Sequence, residues 1–261
     1  MKKYIYQLTR RGLCAELNSL LGFYESVIRE DCKVFIDASK SQYFKKVSIY
    51  DVFKFPDFFV SEPIDGSRLV PPRPWRKASR KHYKFSIDQQ TCSSFFSYTD
   101  NFQNKLNSKI KKLSLNEQYN CLHIRRGDKV GEALYRWAES RGRAESKRFE
   151  FEHYFNKINN SVETIFIFTD DYKCILEGKE YLRKNNIKRR IVTLTNPEDQ
   201  GHSTDKDLDN NKIYTENDLL KFLSPIEISK NAKQFIGTKS SNIYRYLENQ
   251  CVNNTEFTSL D

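Results

Sequence analysis

Two adjacent arginines, Arg125 and Arg126, with Lys129 just beyond them, follow the mostly apolar run Tyr119-Asn120-Cys121-Leu122-His123-Ile124. Guanidinium groups grip phosphate oxygens bidentately and stay charged at every physiological pH, so this grouping suits a phosphate or diphosphate. A second polar group, Thr169-Asp170-Asp171, follows the apolar run Thr164-Ile165-Phe166-Ile167-Phe168. A third, Gly237-Thr238-Lys239-Ser240-Ser241-Asn242, follows Gln234-Phe235-Ile236. It offers a glycine, three hydroxyls and a helix start, where free N–H groups and the helix dipole favour a phosphate. Each group also has a plainer reading. An Arg pair beside an Asp makes a surface ion pair worth little, and Thr-Asp-Asp or Ser-Ser-Asn is a competent helix N-cap. The anion-site reading rests on all three standing at strand ends.

The elements that must position these groups follow from periodicity. Tyr4 to Leu8 reads as a strand, Arg10-Arg11-Gly12 as a loop, and Leu13 to Ile28 as a helix with leucines on one face. Val34-Phe35-Ile36 is the next strand, giving a βαβ unit and hence a parallel sheet. Residues 54 to 84 carry five prolines and read as irregular, and one helix is expected from Ser94 to Leu113. The alternation then restarts with strands at Tyr119 to Ile124, Thr164 to Phe168, Arg190 to Leu194 and Gln234 to Gly237. Helices fill the intervals at Phe149 to Ile158, Tyr172 to Lys184, Thr215 to Ser229 and Ser241 to Asn249. Such alternation is the pattern of doubly wound α/β units, whose ligands bind at the carboxyl ends of the strands. The natural boundary lies near residue 115, giving domains of 1–115 and 116–261.

Composition bounds the function classes. The 261 residues are 38 % hydrophobic and 14 % aromatic, enough for a substantial core, with a mean hydropathy of −0.73. A formal charge of +10 points to an anionic partner. No apolar run of about 18 residues suggests a membrane span, and the start of the chain lacks the apolar core of a signal peptide. The expected compartment is the cytoplasm. Six scattered cysteines without a Cys-x-x-Cys pair read as free thiols rather than a zinc site. His82, His153 and His202 are isolated, whereas His123 lies within the arginine motif.

His123-Ile124-Arg125-Arg126-Gly127-Asp128-Lys129-Val130-Gly131 closely resembles the His-x-Arg-Arg motif of the α1,6-fucosyltransferases, including the rhizobial Nod-factor enzyme. The likeness continues in order through Phe168-Thr169-Asp170-Asp171, Tyr214-Thr215-Glu216-Asn217 and Phe235 to Ser241. Arg11-Gly12-Leu13 with Glu16-Leu17-Asn18 resembles the family's opening glycine loop and helix. Coverage is good from 117 to 246 and thin from 38 to 116. The resemblance implies a GT-B-like α/β fold, two Rossmann-like domains with parallel sheets facing a central cleft. Residues 1–115 would then serve the acceptor side and 116–261 would bind the nucleotide sugar. It also implies an inverting transfer from GDP-fucose to a glycan hydroxyl, with no metal or other cofactor. Arg125 and Arg126 would bind the donor diphosphate, Arg126 also neutralising charge on the leaving group. His123 would shape the donor pocket, joined by Gly12, Asp170, Asp171, Thr238, Ser240 and Ser241. A soluble bacterial or virus-encoded enzyme fits better than a Golgi-anchored one.

Two departures from the family pattern keep alternatives open. Glu132 follows Gly131 directly where the family spaces its glutamate by one residue, and Ala133 takes that position. The general base therefore stays open among Glu132, Asp128, Glu139, Glu150 and Glu152, each needing a pKa raised towards working pH. Pro225 stands about where the family places the aspartate that recognises guanine. Asp218 or Glu227 would have to take over, or the donor is a UDP-sugar such as UDP-xylose. Asp207-Leu208-Asp209 spells a metal-binding pattern of other glycosyltransferases but sits in a polar stretch that reads as a solvated loop. Two further readings are a basic nucleic-acid-binding protein, carried by Arg68 to Lys84 with Trp75 and Tyr83, and a glycan-binding relative without activity. No nucleic-acid motif supports the former.

Overall fold

The opening residues make the expected βαβ unit: β1 (Lys2–Gln7), α1 (Leu13–Val27) and β2 (Cys32–Asp37). The structure is a computed structural model that describes residues 1–70, 84–115, 118–126, 148–201, 212–251 and 255–261. Strand β1 runs parallel to β2, Lys2 opposite Cys32 through Gln7 opposite Asp37. The leucines of α1 are buried as their spacing predicts, and Cys14, Phe23 and Tyr24 are buried beside them. A short helix α2 (Ile49–Val52) leads into β3 (Phe53–Lys54), followed by β4 (Phe59–Val60) and β5 (Arg68–Val70). Among the described residues the sheet order is β4-β2-β1-β5, all parallel. The stretch read as irregular thus supplies both outer strands. Each has only two or three residues, too short to leave a periodic signal.

The single helix expected from Ser94 to Leu113 is corrected to two. They are α3 (Gln89–Phe95) and α4 (Asp100–Lys111), separated by β6 (Ser97–Tyr98). Asp88 caps α3 by accepting the Thr91 N–H at 2.8 Å. The chain then turns because β6 pairs antiparallel with β3, Phe53 opposite Tyr98. That pairing is a tertiary demand, absent from the helical spacing of Phe102 and Leu106, both of which are buried. Aromatic rings fill this core, with Tyr24 stacked on Phe95 at 4.1 Å between ring centres.

The second sheet is built from β7 (Tyr119–Ile124), β8 (Thr164–Thr169), β9 (Arg190–Val192), β10 (Gln234–Gly237) and β11 (Glu256–Ser259). Its order among the described residues is β11-β10-β7-β8-β9, again all parallel. Strands β7 and β8 are buried along their whole length, as expected for central strands covered on both faces. The helices are α5 (Phe151–Phe155), α6 (Lys173–Lys184), α7 (Glu216–Ser229) and α8 (Asn242–Gln250). Strand β11 was not expected; it lies at the sheet edge and is only half-buried. The chain divides into two compact units, Met1–Ser108 with Asp207–Leu223, and Lys109–Lys206 with Ser224–Asp261. All six cysteines are buried thiols outside any disulfide. No helix among the described residues is long and apolar enough to cross a membrane.

Candidate anion-binding site

Strand β7 delivers Arg125 and Arg126 at its carboxyl end, and β8 delivers Asp170 beside them. The Arg126 N–H donates to Asp170 Oδ1 at 2.9 Å, which stitches the two strand ends together. The Arg126 side chain is 5 % exposed, and its Nη2 donates to Glu177 Oε2 at 3.0 Å. The other oxygen of Glu177 accepts Arg148 Nη2 at 3.1 Å, and Arg148 Nε donates to Glu150 Oε1 at 3.0 Å. One carboxylate therefore bridges two guanidinium groups. The Nε and Nη1 atoms of Arg126 are buried and have no hydrogen-bond partner among the described residues. Burial works against the charge, yet Cys174, Glu177 and Tyr154 around it hold the group above its ordinary pKa. Buried donors seldom go unanswered, and a charged one least of all. Such a group is chemically suited to an anionic oxygen.

His123 precedes the arginines and is 3 % exposed. Its ring lies 4.9 Å from Phe168 and 6.0 Å from Phe235, centre to centre. Burial, helped by the Arg125 charge and opposed by Asp170, holds the imidazole down to about 3. It is neutral throughout the physiological range. The two aspartates after β8 are also committed locally. Asp170 takes the Arg126 N–H, and its carbonyl takes the Gly201 N–H at 2.8 Å. Asp171 Oδ1 accepts the Lys173 N–H at 2.9 Å, closing the first turn of α6. Asp171 therefore makes a local turn one residue ahead of the Tyr172 N-cap, close to the plainer reading.

At the end of β10, Ser241 caps α8 by accepting the Ile243 N–H at 3.3 Å. The glycine there sits in a tightly packed place. A Cβ on Gly237 would lie 3.3 Å from the rings of Phe235 and Tyr244 and 3.4 Å from His123 Cβ. The N–H groups expected to be free for a phosphate are not free. Lys239 N–H donates to Asp261 Oδ1 at 2.6 Å, and Ser240 N–H to Asp261 Oδ2 at 3.2 Å. Ser259 Oγ also accepts the Lys239 N–H, at 3.0 Å, and donates to Asp261 at 2.7 Å. The expectation of open donors on this loop is thus corrected: a carboxylate from beyond β11 answers them. Thr238 and Ser241 are buried, and the Ser240 hydroxyl oxygen is buried without a partner.

Gly12 belongs to the first unit, at the start of α1, where its carbonyl accepts the N–H groups of Ala15 and Glu16. Its φ of −57° suits any residue, and a Cβ would meet nothing within 4 Å. Glu16, 1 % exposed, ties the loop together by accepting from the Thr9 N–H at 3.0 Å and from the Thr9 hydroxyl. Asp128, Glu132 and Glu139 lie outside the described residues, as do Asp207 to Asp209, His82, His202 and most of the basic segment around Trp75. Glu150 is engaged by Arg148 and Glu152 is exposed. Asp218 accepts both the N–H and the hydroxyl of Thr215, at 2.8 and 2.7 Å, forming the cap of α7. Glu227 is ion-paired to Lys230 at 3.0 Å, and Pro225 is buried inside α7. Among the described residues no three His, Cys, Asp or Glu side chains are grouped to hold a metal ion.

Sequence reasoning missed Glu177, Arg148 and Asp261. Glu177 lies on an amphipathic helix next to its buried stripe of Cys174, Ile175, Gly178 and Leu182, where a charged residue ordinarily faces water. The one hint is Gly178. A Cβ there would come within 2.8 Å of the Phe151 ring, so the glycine lets α6 lie close against α5.

The solved structures most informative for the fold are those of a rhizobial enzyme. The NodZ alpha-1,6-fucosyltransferase soaked with GDP-fucose aligns with a TM-score of 0.50 at 9 % identity, over 96 % of this chain and 93 % of that one. The selenomethionine form of fucosyltransferase NodZ from Bradyrhizobium aligns with a TM-score of 0.51 at 10 % identity, over 95 % and 92 %. No family model matches the chain, and no curated protein matches it by sequence. The chain therefore has an α/β fold of two parallel-sheet units similar to that of the GT-B fucosyltransferase NodZ, as its ordered motifs imply.

Proposed function

We propose that the chain is a nucleotide-sugar glycosyltransferase, its second unit binding the donor diphosphate and its first unit the acceptor glycan. The observation that carries this reading is Arg126, a buried guanidinium with two unanswered nitrogen donors at the carboxyl end of a central parallel strand. That is where α/β folds bind phosphorylated ligands. Arg125 and Arg126 neutralise the charge that grows on the diphosphate as the bond to the anomeric carbon breaks. A carboxylate takes the proton of the acceptor hydroxyl as its oxygen forms the new bond, and the nucleoside diphosphate leaves with the electron pair. Glu132 and Asp128 are the carboxylates favoured by their place in the motif. The reaction inverts the anomeric centre and uses guanidinium groups in place of a metal. His123, neutral and enclosed, shapes the wall of the site, and Asp170 holds the Arg126 backbone. The hydroxyls of Thr238 and Ser240 supply further contacts, and Gly12 leaves open space on the first unit.

GDP-fucose is the first donor to try, since NodZ was soaked with it. A UDP-sugar is favoured as the second by a specific observation. Pro225, which has no side-chain acceptor for a guanine edge, is buried in α7, and one oxygen of Asp218 is engaged in the cap of that helix. The test is thermal denaturation with GDP and with UDP. A nucleotide at about 100 times its dissociation constant adds roughly 2.7 kcal/mol to stability. A melting temperature that neither nucleotide raises sinks the proposal, and whichever one raises it names the base.

A further inference from the structure

We propose that Glu177 is the positioning residue of the diphosphate site and that Arg148 is its second cation. This deepens the donor-site reading and rests on it. The connection from β8 into α6 holds Arg126 at two points, Asp170 fixing its backbone at 2.9 Å and Glu177 fixing the tip of its side chain at 3.0 Å. Asp171 secures the start of the same helix, and Gly178 lets that helix seat against Phe151. The carboxylate therefore stands on a rigid element, which holds a binding group more accurately than a loop does.

Glu177 occupies only Nη2 of Arg126 and leaves the hydrogens on Nε and Nη1 for another acceptor. A purely structural ion pair would satisfy the guanidinium, because a half-answered buried charge is destabilising. The second oxygen of Glu177 aligns Arg148, whose side chain is 52 % exposed and so open to a ligand. One carboxylate thus ties together two guanidinium groups, one buried at the end of β7 and one at the surface.

The experiment is calorimetric titration of the wild type, Glu177→Gln and Arg148→Ala with a nucleoside diphosphate and its monophosphate, using the nucleoside that the wild type prefers. Glu177→Gln keeps the shape but offers one acceptor to two arginines. It is expected to weaken the diphosphate by about tenfold, as loss of a charge-assisted contact does, and to change the monophosphate less than about twofold. The preference for diphosphate over monophosphate then collapses. Arg148→Ala, an exposed substitution that leaves the fold intact, lowers the same preference about threefold, and reads it even where Glu177→Gln does not fold. Equal weakening of both nucleotides, or no change in either, overturns the positioning role while leaving the donor reading standing. A wild type that binds neither GDP nor UDP overturns the donor reading and this proposal together.

Discussion

The strand ends of β7 and β10 hold the same kind of chemistry in opposite conditions. At β7 a buried guanidinium keeps two nitrogen donors unanswered, while at β10 two backbone N–H groups are already bonded to the Asp261 carboxylate. At the β7 end one carboxylate, Glu177, answers a single nitrogen of the guanidinium, whereas at the β10 end Asp261 answers both N–H groups. A donor group is therefore not a binding site by composition alone; what else the fold brings to it decides whether it remains available.

The largest test of this contrast is Arg126→Ala. Removing a preorganised charged donor of this kind lowers turnover by roughly 10²–10³, and Arg126→Lys, which lacks the planar fork, falls between. Transfer assays with the donor found by thermal shift measure it, and activity kept within about tenfold would break the assignment of β7 as the diphosphate end. Next is the acid response of His123, which lies between the two ends. Its folded pKa of about 3 lies below the ordinary value of 6.5, so the unfolded chain takes up the proton first. The stability this group contributes is whole above pH 6.5 and is lost as pH falls towards 3, at up to about 1.4 kcal/mol per pH unit. Urea unfolding of His123→Leu across this range shows a shallower decline; an unchanged slope refutes the burial argument.

Asp261→Ala opens the β10 end. Ser240 N–H then loses its acceptor and Lys239 N–H keeps only Ser259 Oγ, at a cost of about 1–2 kcal/mol, and added phosphate or sulfate restores part of it by taking the vacated place. A variant indifferent to both anions would show that the contrast between the ends is not one of occupancy. A loss of similar size is expected for Gly178→Ala, where crowding against Phe151 costs about 1–3 kcal/mol and better helix propensity returns up to about 1. The net loss is read by thermal denaturation, with a matching fall in nucleotide affinity through the displaced Glu177.

Much of the architecture was legible because it is written locally. The periodic leucines of α1 and the apolar run of β7 state what they become without help from elsewhere, since alternation and helical spacing are properties of neighbours in the chain. The break between α3 and α4 was not legible, because it is imposed by the pairing of Phe53 with Tyr98 across the fold. Strands β4 and β5 were missed for a related reason: a two- or three-residue strand exists only by virtue of the partner it lies against.

The candidate site divides in the same way. The amino-acid sequence by itself determined that cations stand at the end of a central strand, because Arg125 and Arg126 adjoin the run that must be that strand. Only the tertiary structure decided how they are employed. Asp170 and Glu177 reach Arg126 from 44 and 51 residues away, and Asp261 reaches Lys239 from 22. No spacing rule operates over such distances. Hydrogen bonds between distant residues arise when sheet order and helix packing carry their atoms to within about 3 Å, so the partner that completes or closes an anion site is settled by the fold.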